Sequence, residues 1–259
     1  MAEQTPNYNL TKPDINEFYD VEVQNNNMDI IDSALKNSEE QLTEHLAESV
    51  TYTKEYINYY VDATNGNDLN NGLSSESSFA TIRKAIDSLP KNIRSVININ
   101  LAKGTYSEDV ELRGFFGDGT IRIKGDSVIS DAVSINSFLA VGCTIKILII
   151  GCNFTNTSGI KANIFYSLYV SFESCKFVET SNNAGLNFES SIGRVIMCTI
   201  SNQSNGIQSF LGSNVFSSTN SGTGNSVGLA ASESGIIGKF DTQPGGTVLE
   251  SVSGGGVIR

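Results

Sequence analysis

The sequence predicts a mainly β chain built as a right-handed parallel β-helix, preceded by an N-terminal arm and an α-helix. Three observations carry this. Aliphatic residues recur in columns: Ile97, Ile121, Ile145 and Leu168 lie 24, 24 and 23 residues apart, and Ile99, Ile123, Ile147 and Val170 follow the same intervals. Cys152, Cys175 and Cys198 lie 23 residues apart in phase with those columns, with Phe154, Phe177 and Ile200 two positions after them. The composition suits strands and turns, with 24 Gly, no Trp and 17% charged residues among 259.

A period of 22–24 residues holds three short strands and three tight turns, which make one coil of a solenoid. Coils stack about 4.8 Å apart, so recurring residues become ladders in a shared core. Parallel crossovers favour the right-handed course. Ile149, Phe172 and Val195 supply a third column, and Phe165 is expected to pair with Phe188. Gly159, Gly185, Gly206 and Gly228 each precede an aliphatic residue at intervals that drift to 26, 21 and 22, as turns of variable length allow.

Residues 1–27 read as an extended arm, with Pro6 and Pro13 opposing an early helix. Residues 28–60 read as a helix whose Met28, Ile31, Leu35, Leu42, Leu46, Val50 and Ile57 form one apolar stripe. Such a stripe needs cover. A bundle or coiled coil with its own copies supplies it, or the helix lies back on its own domain. His45 on this helix reads as a polar-layer or solvent-facing residue, since no second ligand is near.

The β-helix is expected over residues 61–212. A short strand leads into an Asn/Gly/Asp loop, then a helix at 78–89, capped by Ser78 and stopped by Pro90, plugs the open first coil. Asp62, Asn67 and Asp68 invite a calcium reading, but Asx-turn chemistry explains them and the spacing is not that of an EF-hand; no metal or cofactor is expected. Residues 213–259 lose the columns and are expected to form an irregular C-terminal β segment, a tip or a packing surface between copies.

The net charge of −11 is uneven: residues 1–60 hold 12 acidic and 3 basic side chains, leaving 16 against 14 from residue 61 onward. Without a basic cluster, nucleic acid is excluded as a partner. The most apolar window, 145–150, is too short to cross a bilayer, and no secretory signal opens the chain, which points to synthesis in the cytoplasm.

Catalytic chemistry is sparse in the pattern. Glycoside hydrolysis needs two facing carboxylates, and a pectate-lyase-type elimination needs an Asp cluster for calcium plus a base. Residues 127–259 hold seven acids, Asp131, Glu173, Glu179, Glu189, Glu233, Asp241 and Glu250, and the first four share no column. Glu108, Asp109 and Glu111 read as a solvated turn. Tyr106, Tyr166 and Tyr169 could serve as aromatic platforms for sugar. The expectation is therefore no enzyme, and no catalytic, cofactor-binding or metal residue is assigned. The cysteines mark a core column: their spacing supplies no zinc set, no base stands near them, and ladder side chains point in parallel, which opposes disulfides.

Two stretches carry a resemblance. TPNYNLTKPDINEFYDVEVQNNNMDIIDSALK resembles the N-terminal attachment segment of tail-fibre and tail-tip proteins of phages and phage-derived particles of Gram-positive bacteria. YYVDATNGNDLNNGLSSESSFATIRKAIDSLPKN, with ININLAKGTYSEDVELRGFFGDGTIRIKG, resembles the opening of pectin-lyase-like right-handed β-helix domains of such proteins. Together they cover about residues 5–125. The resemblance implies a homotrimer held to tail or baseplate proteins by its N-terminal arms, placed on a virion or phage-like particle and released by lysis. Its β-helix would present a host-surface binding region to a cell-surface glycan or protein receptor. An enzymatic tailspike that cleaves surface polysaccharide, and a purely structural baseplate or collar protein, are the competing readings.

Overall fold

The computed structural model describes residues 3–12, 20–50, 55–128 and 130–259, with side chains of 44–50 and 130 left aside. The chain divides into two units, 1–53 and 54–259.

In the first unit a two-residue antiparallel pair, Glu3–Gln4 with Thr11–Lys12, precedes helix α1, Val21–Val50. The Asp20 carboxylate accepts from the Glu22 N–H at 2.8 Å and starts the helix inside the stretch read as an arm. Asn27 clamps the arm to the helix, accepting from the Thr11 N–H at 2.9 Å and donating to the Thr11 carbonyl at 2.8 Å. Met28, Ile31, Leu35 and Leu42 lie exposed along α1. His45, Leu46 and Val50 fall outside the described side chains. Ile57 is no helix residue: the strand Tyr56–Val61 already belongs to the second unit.

The second unit is a parallel β-helix. One face is a nine-stranded sheet running in chain order through Tyr56–Val61, Val96–Leu101, Thr120–Lys124, Lys146–Ile150, Val170–Glu173, Ile192–Ile196, Asn214–Ser218, Ile236–Phe240 and Val257–Ile258. Every pairing in it is parallel. The other faces merge into a ten-stranded sheet, because the long strand Val133–Val141 pairs with both Asn153–Phe154 and Ala162–Phe165. Three strands per coil, as the period requires, are present in the middle coils from Lys146 to Phe210, while the coils before and after them carry two.

The aliphatic columns of the nine-stranded sheet hold with one slip. Ile97 faces Ile121 and Ile147 faces Val170 as expected, but Ile121 faces Ile147 rather than Ile145, an interval of 26. A slip of two residues leaves every side chain on its own face, so Ile121, Ile123, Ile147 and Ile149 remain buried. Leu168 lies outside the strand and is partly exposed. Phe188 pairs with Ile164, so Phe165 falls on the opposite side.

The core is aromatic at its centre. Phe154 and Phe177 stack one coil apart with centroids 4.7 Å apart and planes 3° from parallel, and Phe172 meets both edge-on. The four cysteines are buried and free. Burial pushes the thiols of Cys143, Cys152 and Cys198 up.

Polar ladders finish the turns. The Cys143 N–H donates to Ser167 Oγ, the Ser167 N–H to Ser191 Oγ, and the Ser191 N–H to Ser213 Oγ, at 3.0 to 3.1 Å. Where the thiol column would continue stands Asn220: its Oδ1 accepts from the Cys198 N–H at 2.9 Å and its Nδ2 donates to the Val195 carbonyl at 2.9 Å. A third turn repeats the device, with the Gln203 N–H donating to Asn225 Oδ1 at 3.0 Å.

These ladders correct the expectation for residues 213–259. Asn214–Ser218 and Ile236–Phe240 continue the nine-stranded sheet, and Asn225–Ala231 and Gly246–Val252 continue the other. The coil persists because Ser209, Ser217, Asn220 and Asn225 bury in hydrogen-bonded positions, replacing apolar residues.

At the first coil, helix α2 covers Ile82–Asp87, shorter than the expected 78–89, and its N-cap is Thr81 instead of Ser78. Its Ile82, Ala85 and Ile86, with Phe79 and Leu89, close the core. The Glu108 carboxylate accepts from the Ile82 and Arg83 N–H groups, both at 2.9 Å. Glu108, Asp109 and Glu111 are thus no solvated turn. They lie on the strand Gly104–Arg113, where Asp109 accepts from Asn136 at 2.7 Å and Glu111 pairs with Arg113 at 3.0 Å.

Candidate functional site

Outward residues of the nine-stranded sheet form three columns, because alternate strand residues face away from the core and parallel pairing keeps them in register. One column holds Thr120 and Lys146 and resumes at Ile192, with Tyr169 between them just ahead of its strand; the next holds Arg122, Leu148, Ser171, Arg194 and Phe216; the third Lys124, Ile150, Glu173, Ile196 and Ser218.

Where the columns pass the middle coils, a groove of about 320 Å³ opens, lined by Lys146, Tyr169, Ser171, Glu173, Arg194 and Phe216 among others. Tyr169 is 59% exposed and Phe216 43%. Arg194 lies 3.9 Å from the Glu173 carboxylate and 6.0 Å from the Phe216 ring centroid, while Ser171 Oγ donates to Glu173 at 3.1 Å. Tyr169, with a φ of 60° at the turn before its strand, lines the groove as well.

Of the expected aromatic platforms, Tyr169 lines the groove and Tyr166 is exposed elsewhere. Tyr106 is buried, with its hydroxyl 3.0 Å from the Val61 carbonyl and 2.9 Å from that of Ala102, and burial pushes its pKa up to about 12. It is a core residue. Lys146, Arg194 and Phe216 escaped the sequence reading, because outward positions repeat no residue type. Of the seven acids, Asp131 pairs with Lys176 at 2.6 Å and Glu250 with Lys239; Glu173 faces the groove.

In the Asn/Gly/Asp loop the carboxylates serve the backbone. Asp62 accepts from the Thr64 and Asn65 N–H groups at 2.8 and 3.0 Å and from the Asn65 side chain at 3.0 Å, and that last bond leads in holding its pKa below the usual range. Asp68 accepts from the Ala80 and Thr81 N–H groups and from Thr81 Oγ1. Among the described residues no cluster of metal-ligating side chains occurs. Away from the groove, Lys161 is fully buried, its ammonium donating to Gln203 Oε1 at 3.1 Å; burial pushes its pKa down to about 8, opposed by the Glu179 carboxylate.

No family model matches the chain, and no curated protein does. Solved structures do. A pectin methylesterase from Aspergillus niger, in deglycosylated form, is 13% identical with a TM-score of 0.43 over 78% of this chain and 85% of that one. A rhamnogalacturonan lyase is 13% identical with a TM-score of 0.28 over 70% and 72%. The parallel β-helix itself stands on the register of the two sheets. The expectation of no enzyme is corrected here: the structures to which the chain is similar are those of a pectin methylesterase and a rhamnogalacturonan lyase. At this identity the likeness concerns the fold, and the chemistry has to be argued from the groove.

Proposed function

We propose that this chain is a polysaccharide-engaging component of a phage or phage-derived particle tail, held by its N-terminal arm and presenting a pectin-lyase-like β-helix to the host surface. The observation that carries the reading is the groove itself: two exposed rings, Tyr169 and Phe216, beside Lys146, Glu173 and Arg194 on a rigid sheet. Rings that stack on sugar faces, flanked by polar groups that fix orientation, are what glycan recognition requires. The tail placement rests on the resemblance of the N-terminal segment. Assembly into a homotrimer is supported by the exposed Met28, Ile31, Leu35 and Leu42 of α1, which need cover.

A second reading, cleavage of the bound polysaccharide, is favoured by the Glu173 carboxylate and the Arg194 guanidinium facing one groove. One set of measurements tests both. The full chain is expected to be a trimer by light scattering and to adsorb to susceptible cells, with Tyr169→Ala lowering adsorption. Incubation with purified wall polysaccharide, followed by assay of reducing ends and unsaturated sugars, separates retention from cleavage. A monomer that ignores both cells and polysaccharide would remove the proposal.

A further inference from the structure

The outward grid contains one motif twice. Lys146 lies one coil before Tyr169, which stands just ahead of Val170, the partner of Ile147; Arg194 pairs with Phe216 one coil later in the second column. A cation followed one coil later by an exposed ring therefore recurs, displaced by two coils and one column. With coils about 4.8 Å apart and alternate strand residues about 6.6 Å apart, the displacement is roughly 12 Å. That is the scale of two linked sugars. The sign of the face matters as well. Its three columns hold Arg122, Lys124, Lys146 and Arg194 against the single carboxylate Glu173, although the chain from residue 61 onward has 16 acidic and 14 basic side chains.

We propose that this face binds an anionic glycan lying obliquely across the coils, each ring stacking on one sugar while the cation before it meets that repeat's acidic group. The inference rests on the polysaccharide reading above and adds the charge class and the direction of the chain. A neutral glycan has no use for a repeated cation. A nucleic acid, with a charge on every residue, would meet the surplus of acids elsewhere on the chain. Arg194 stands 3.9 Å from Glu173 and 6.0 Å from the Phe216 ring centroid, so cation and ring share one end of the groove. The acid of the ligand can be a carboxylate or a phosphodiester, since guanidinium and ammonium groups bind both.

The test uses the full chain and three immobilised probes: polygalacturonate for carboxylate, poly(glycerol phosphate) for phosphodiester, and dextran as the neutral polymer. Retention on one or both anionic probes is expected, falling several-fold as salt rises from about 0.05 to about 0.5 M. Lys146→Met and Arg194→Met should each weaken it about tenfold, and Tyr169→Ala should weaken it too. Melting temperatures close to that of the parent chain confirm that the variants fold, since the altered side chains are exposed. The anionic probe retained identifies the acid. Dextran retained equally, without salt dependence and unaffected by Lys146→Met, overturns the anionic assignment and leaves the polysaccharide reading standing. Retention on none of the three overturns both.

Discussion

The ring of Phe188 fills the space that a side chain at Gly193 would need, since a Cβ there would lie 2.0 Å from the ring. Phe188 comes from the ten-stranded sheet and Gly193 from the nine-stranded one, so the two faces interlock across the core at this coil. Gly193→Ala should lower stability by about 1–3 kcal/mol through overpacking. Urea unfolding measures it, and Phe188→Leu in the same chain should recover part of the loss. Strictly additive losses would show that the contact is not the cause.

Asn220 should be hard to replace. Asn220→Leu leaves the Cys198 N–H and the Val195 carbonyl without their partner inside the core. A loss of about 1–3 kcal/mol is expected, read as a lower urea midpoint. An unchanged midpoint would mean that the turn satisfies itself.

The thiols should be silent in the native chain. At pH 8 a thiol reagent should label none of the four buried cysteines until urea unfolds the protein, when all four react. Because folding holds Cys143, Cys152 and Cys198 above the ordinary thiol value of 9.0, their contribution is fully present below that pH and is lost as pH rises above it. Rapid native labelling of Cys175 would displace the ladder.

Lys161 works in the opposite sense. Its pKa of about 8 lies below the ordinary 10.5, so between those values the unfolded chain holds the proton and the folded chain does not, and stability from this group rises with pH. Relative to Lys161→Met, the parent chain should gain stability as pH goes from 8 to 10.5. Denaturant midpoints of the two proteins across that range give the difference, in which the thiols and Tyr106 cancel. A flat difference would show that the ammonium is solvated.

Glu108 couples α2 to the first strands. Glu108→Gln should cost about 1 kcal/mol and speed hydrogen exchange in Ile82 and Arg83, whose N–H groups it accepts. Exchange unchanged at those two positions would assign the cap to Thr81 alone.

What the sequence disclosed follows from where repetition lies. Ile97, Ile123, Phe172 and Cys175 face inward, where stacking demands like residues on successive coils, and their columns announced the β-helix. The interval of 26 between Ile121 and Ile147 was misread as 24 to Ile145, with no harm to the inside-outside assignment because the slip is even. Coils beyond residue 213 were missed because Ser217 and Asn220 take core positions with polar side chains that no apolar pattern reveals. The groove was legible only at Tyr169. Lys146, Arg194 and Phe216 are brought together by the register of separate coils, and nothing near them in the chain marks their neighbours.

The turn ladders share a direction. Cys143, Ser167 and Ser191 at one corner, Cys198 at another and Gln203 at the third each send a backbone N–H forward, to a side chain one coil later in the chain. Each corner is therefore completed by the coil made after it. The dependence runs one way at these N–H groups: taking away the last coil would bare donors on the coil before it, whereas taking away the first would leave the others satisfied.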